Sequence, residues 1–321
     1  MAAGDGDRVD ENCIAGQHSG MHALVAPCVT LLATIAPLVA QTKPQVPTEP
    51  PLVWNADVRR HVAAALVVRG IVRVDRDAVD KALTQGGHVD VKIEVQEMVH
   101  GAEQATVTFR CYVRERTNPR PDEHPTPAEL LALDGADRIV FLCTVEAANY
   151  LVDDDGSAIV PPERDVLAAL KRREVQHRRL LATPLPVDAR HAKPLATILR
   201  DIVVDRDHQR AAFVDLEALG RDAVPTIVAS MDDRRQLPVR ELTLKNRAAD
   251  AFEAQRRYSP KRVVDGIAAV LNQLTGESFG SLYNGARDEE RAIAVQAWTL
   301  YAHYQLAAAA PAAEQQPKKA R

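Results

Sequence analysis

Residues 89–99 read VDVKIEVQEMV, and Val89, Val91, Ile93 and Val95 alternate there with Asp90, Lys92, Glu94 and Gln96. A period of two places the aliphatic side chains on one face and the polar ones on the other, which makes a strand with one buried and one wet face. Three similar runs flank it, 65–74 (ALVVRGIVRV), 105–113 (ATVTFRCYV) and 138–145 (RIVFLCTV), each rich in Val or Ile and bounded by turn residues. Several short strands within residues 52–161 predict a small β-barrel or sandwich. Gly70, between two valine-rich segments, fits a bulge or bend of the kind that closes a barrel. Asp153-Asp154-Asp155-Gly156 reads as a hairpin turn, not a calcium loop, because Pro161 and Pro162 stand where further ligands would have to follow. Thr117–Ala128, with prolines at 119, 121, 125 and 127, has too many missing N–H groups for a ladder and is expected as an exposed loop, inert or used for recognition.

From Pro162 the period becomes helical. Helices are expected over 164–181, 188–203, 205–219, 222–231, 239–254, 261–275 and 287–306, with apolar stripes such as Leu195, Leu199 and Ile202, or Phe213, Leu216 and Leu219. The first carries KRREVQHRR, read as a solvated basic face beside an acidic neighbour, since residues 41–160 have a net charge of -6 and residues 161–321 one of +5. The fold class that follows is α+β and multidomain, with an N-terminal β-barrel or sandwich and a C-terminal helical module over 162–306, then a frayed tail, 307–321.

Two resemblances sharpen this. Residues 210–233 (RAAFVDLEALGRDAVPTIVASMDD) resemble a HEAT repeat: Gly220 can end one helix in the left-handed conformation, Asp222 can cap the next, and Pro225 sits in its first turn. Residues 239–252 look like the first helix of the following repeat, with Arg240 early in it. The ending, with Leu274-Thr275-Gly276, Phe279-Gly280 and Trp298, is similar to that of exported bacterial HEAT-like proteins. In the β half, Val68–Val72, His100-Gly101, Gly135–Leu142 and Tyr150–Val152 resemble a netrin-like or OB-type barrel. The resemblance implies binding surfaces and not a reaction. The protease-inhibiting members of the netrin-like group begin with a Cys at the mature N-terminus, which this chain does not offer.

No charged residue occurs between Glu11 and Lys43, and 23–40 (ALVAPCVTLLATIAPLVA) is almost wholly apolar before the proline-rich 41–51. This reads as a signal peptide over 21–40 cut between Ala40 and Gln41, with 1–20 a disordered or mis-assigned start. The chain is then periplasmic or secreted; an uncleaved membrane anchor is the alternative. Lipid attachment at Cys28 is set aside because Pro27 precedes it. After cleavage only Cys111 and Cys143 remain, and either a disulfide or two buried thiols would suit them.

Charge and motifs narrow the function. Mixed signs and 4% aromatics exclude a nucleic-acid footprint. There is no HExxH, CxxC pair, G-x-S-x-G, Walker loop or GxGxxG, so no catalytic residue, metal ligand or cofactor is assigned. His61, His88, His100 and His124 are scattered through the β half and read as surface residues. Trp298, Tyr301 and Tyr304 read as core packing, not as a ligand platform. The expectation is an exported, non-catalytic binding or scaffolding protein whose partner is a protein or a cell-envelope component. The alternatives are an exported hydrolase or metal-dependent enzyme with a site between the halves, and a protease-inhibitor-like β module.

Overall fold

The computed structural model describes residues 52–113, 125–153, 157–245, 255–280 and 282–314. The expected leader, its Ala40/Gln41 cleavage point and the linker 41–51 lie outside these residues, as does most of the 117–128 loop. No helix among the described residues is long and apolar enough to cross a membrane.

Helix α1 (Ala56–Ala63) leads into β1 (Leu66–Arg73), α2 (Arg76–Gln85), β2 (Gly87–His100), β3 (Thr106–Val113), α3 (Pro127–Leu131), β4 (Asp137–Val145), β5 (Ala148–Leu151) and β6 (Ile159–Val160). The strands run in the order β1-β2-β3-β5-β4, and β4 pairs back onto β1, so five strands close a barrel while β6 adds to β4. Within it only β3 and β5 run parallel. Val89, Val91 and Ile93 point inward and meet Cys111, Phe109 and Val107 across the β2–β3 register, so the alternation of residues 89–99 is the barrel wall itself. Gly70 falls at a register shift between β1 and β2, where a Cβ would lie 2.2 Å from the Glu94 carbonyl oxygen; only glycine lets the strands cross so closely. Pro127 opens α3 behind the Thr126–Glu129 capping box.

The helical part comprises α4 (Arg164–Leu181), α5 (Ala189–Asp201), α6 (Arg206–Ala218), α7 (Val224–Ala229), a hairpin of β7 (Leu242–Lys245) and β8 (Gln255–Tyr258), α8 (Val263–Thr275) and α9 (Asp288–Glu314). Helix α8 is buried along nearly its whole length, including Val263, Val264, Ile267, Val270 and Leu271, and ends at Gly276 in the left-handed conformation. Trp298, Tyr301 and Tyr304 of α9 are buried in the same core, as the packing reading expects. At the start of α8, Asp265 is fully buried and accepts from Arg291 Nε at 2.7 Å and Nη2 at 3.0 Å, and also from the backbone N–H groups of Lys261 and Arg262.

Three expectations are corrected here. The helix predicted over 239–254 is a strand over 242–245, because Leu242 and Leu244 are buried while Thr243 and Lys245 face water, and β8 completes the ladder; residues 246–254 lie outside the described ones. Asp222 lies in a 3₁₀ turn, Arg221–Ala223, and Ala223, not Asp222, occupies the cap position of α7. The tail is helical as far as Glu314, in keeping with the high helix propensity of its alanines.

The described residues form one compact unit with two apolar cores, and these do not divide at residue 161. Val58 and Val62 of α1 pack in the helical core, whereas Leu170 of α4 packs in the barrel core. The two cysteines take opposite faces of the barrel sheet. Arg110, Tyr150 and Cys143 align across β3, β5 and β4, so Cys143 shares the outer face and donates to the Leu151 carbonyl oxygen at 3.7 Å, while Cys111 is turned inward. A strand intervenes, placing the Cα atoms about 9–10 Å apart at ordinary strand spacing, too far for a bridge.

Candidate metal centre

Where the two cores meet, α1, α4, α9 and the end of β2 direct polar side chains at one point. His61 comes from the inward face of α1, one residue before Val62. Glu174 and His177 are i,i+3 on α4, hence on one helical face, and both are buried although arginines surround them in sequence. His100 is the last residue of β2. Its position is fixed by Gly101, whose φ of +102° and close approach to Leu66 Cδ2, 2.4 Å from where a Cβ would be, admit only glycine.

One ligand atom from each of His61, Glu174 and His177 lies within 4.8 Å of the other two. His61 Nε2 is 3.4 Å and His100 Nδ1 3.0 Å from the same oxygen, Glu174 Oε2, while Oε1 accepts from Arg178 Nε at 2.9 Å. The His61 and His177 rings are 4.9 Å apart, and Phe141 of β4 stacks edge-on to His61. His177 Nε2 is 3.0 Å from the buried Tyr304 hydroxyl of α9. His61 is only 2% exposed, and neither of its ring nitrogens has an aligned hydrogen bond among the described residues; the 3.4 Å approach of Nε2 to Glu174 Oε2 is a close contact without N–H alignment.

The electrostatics favour ligand-ready protonation states. Burial pushes the His61 imidazole below its ordinary value, against the opposing pull of Glu174. Burial, reinforced by the neighbouring His61, pushes His177 down to about 3. Burial alone would raise Glu174, but hydrogen bonding to His100 and Arg178, with His61 close by, outweighs it and holds the carboxyl well below the usual range. Two neutral imidazoles beside a carboxylate form a metal-ligand set that need lose no proton on binding. Nitrogen and oxygen donors of this kind suit zinc or another first-row divalent ion better than magnesium or calcium.

Of the histidines considered from sequence, His61 and His100 meet here. His88 lies on the outer face of the barrel against Tyr112, and His124 is outside the described residues. Glu174 and His177 were not singled out. Their signal is the E-x-x-H spacing inside KRREVQHRR, masked by the basic residues around it.

The fold and site thus define a small closed barrel carrying a helical layer, with a His-His-Glu cluster buried at their junction. No protein-family model, curated protein or solved structure matches this chain.

Proposed function

We propose that the protein binds a divalent transition-metal ion, of the zinc class, through His61, Glu174 and His177, and that it serves as a binding protein and not as a catalyst. The observation that supports this most is His61. A buried imidazole with no aligned partner at either nitrogen costs about 1–3 kcal/mol, and an ion beside Glu174 and His177 would remove that cost. The burial of all three ligands favours holding an ion over exposing it to a substrate. Export, motivated by the apolar stretch 23–40, belongs to the same proposal, as does an OB-type reading of the barrel, which its strand order supports. HEAT-like stacking of the helices, with a protein or cell-envelope partner, remains part of the proposal through the 210–233 resemblance.

The test is titration of chelator-treated full chain with Zn²⁺ in a calorimeter, with metal content measured in parallel. One ion per chain is expected, lost in Glu174→Gln and kept in His88→Ala. Failure of Zn²⁺, Co²⁺, Ni²⁺ and Fe²⁺ to bind, or equal binding by Glu174→Gln, would overturn the reading.

A further inference from the structure

We infer that His100 supplies a fourth ligand, turning the centre into a closed clasp that fastens the helical layer to the barrel; this rests on the metal reading above. Four observations carry it. His100 Nδ1 and His61 Nε2 converge on one oxygen, Glu174 Oε2, at 3.0 and 3.4 Å. Ligand atoms about 2.0–2.1 Å from a tetrahedral zinc stand about 3.3–3.4 Å from one another, so the two distances to Glu174 suit neighbouring ligands, while His100, outside the 4.8 Å group of His61, Glu174 and His177, has to turn to join them. The His100 side chain is 31% exposed while those of His61 and Glu174 are 1% and 9% exposed, so His100 has the room to turn. When its ring turns from Glu174 to the ion, the carboxylate keeps Arg178 on Oε1 and gains the ion, so no buried charge is stranded.

The fourth observation concerns where the ligands are rooted. His61 sits between Val58 and Val62, which pack in the helical core. His100 follows Val99, which packs in the barrel core, and Glu174 and His177 lie on α4 between Leu170 of the barrel core and Leu180, which packs against the helical one. An ion held by all four therefore links the two cores directly. Four protein ligands leave no open position, the arrangement of a structural ion.

Cobalt reports the coordination of the full-length protein. In His100→Cys, a thiolate bound to Co²⁺ produces a near-ultraviolet charge-transfer band absent from the wild type, which retains Cys111 and Cys143 as an internal control. His100→Gln preserves a hydrogen bond to Glu174 but removes the imidazole, so it separates ligation from positioning. Loss of an outer-shell partner lowers metal affinity about 10–100-fold, and loss of a ligand is expected to exceed about 100-fold. The inference predicts the band in His100→Cys and a loss of Co²⁺ affinity above about 100-fold in His100→Gln. Co²⁺ binding by His100→Cys without the band, or binding by His100→Gln within about 10-fold of wild type, overturns it while leaving the three-ligand centre standing. Absence of Co²⁺ binding by the wild type overturns both.

Discussion

Replacing His61 by leucine separates a metal ligand from an ordinary core histidine, because the two roles predict opposite orders of stability. The imidazole is buried with both nitrogens lacking aligned partners, a cost of about 1–3 kcal/mol that leucine, of similar volume, removes. Leucine also forfeits the ring contacts to His177 at 4.9 Å and Phe141 at 6.4 Å, which contribute about 0.5–1.5 kcal/mol. In chelator, His61→Leu is therefore expected to lie between about 0.5 kcal/mol below the wild type and about 2.5 kcal/mol above it. With free Zn²⁺ at about 100 times its dissociation constant the wild type gains about 2.7 kcal/mol, an increase in Tm of about 5–10 °C for a unit of this size, and the variant gains nothing. The order of stability then inverts. Thermal unfolding followed by circular dichroism, with chelator and with Zn²⁺, reads both halves. A variant destabilised by more than about 2 kcal/mol in chelator, together with no Zn²⁺ shift in the wild type, would show that His61 is a core residue whose packing outweighs its unpaired nitrogens.

Gly101→Ala should lower both stability and metal affinity, since its Cβ would meet Leu66 Cδ2 at 2.4 Å in a left-handed backbone and displace His100; a calorimetric affinity unchanged from wild type would separate His100 from the site. Asp265→Asn leaves the buried Arg291 with only the exposed Asp288 as its anion and should cost about 3 kcal/mol in urea unfolding, with no effect on Zn²⁺ stoichiometry. The hydrogen bonds from the Arg190 guanidinium and backbone N–H hold the Asp188 carboxyl at about 2. Its folded value lies below the unfolded value of about 3.9, so its contribution to stability is present above pH ~4 and fades as the pH falls toward 2. In Arg190→Gln the carboxyl resonance should titrate closer to the ordinary value, and an unmoved titration would discount the pair.

Residues 89–99 show why much of the barrel could be read directly. A strand with one wet face writes its burial into the sequence at period two, and Val89, Val91 and Ile93 are buried where that period puts them. The same applies to the long helices, whose stripes at Leu195, Phe213 and Val264 are local consequences of a 3.6-residue turn. Short elements carry less information: α1 and α2, of eight and ten residues, bury only two apolar side chains each, Val58 and Val62 in one and Val79 and Ala82 in the other. In residues 242–245 the choice between helix and strand was made by Tyr258 and the rest of β8, well beyond any local window.

What the sequence determined by itself was the material of the fold: a wall of alternating Val and Ile, an aliphatic helical layer, and a chain with no contiguous catalytic motif. Only the tertiary structure decided that His61, His100, Glu174 and His177 lie together and that Cys111 and Cys143 take opposite faces of the barrel wall. Periodicity reports which face of an element is buried, because burial is a local property of a repeating backbone. It cannot report what that face meets, since the barrel closes through β1 and β4 and the site through α1, β2 and α4, and those contacts exist only once the chain has returned on itself.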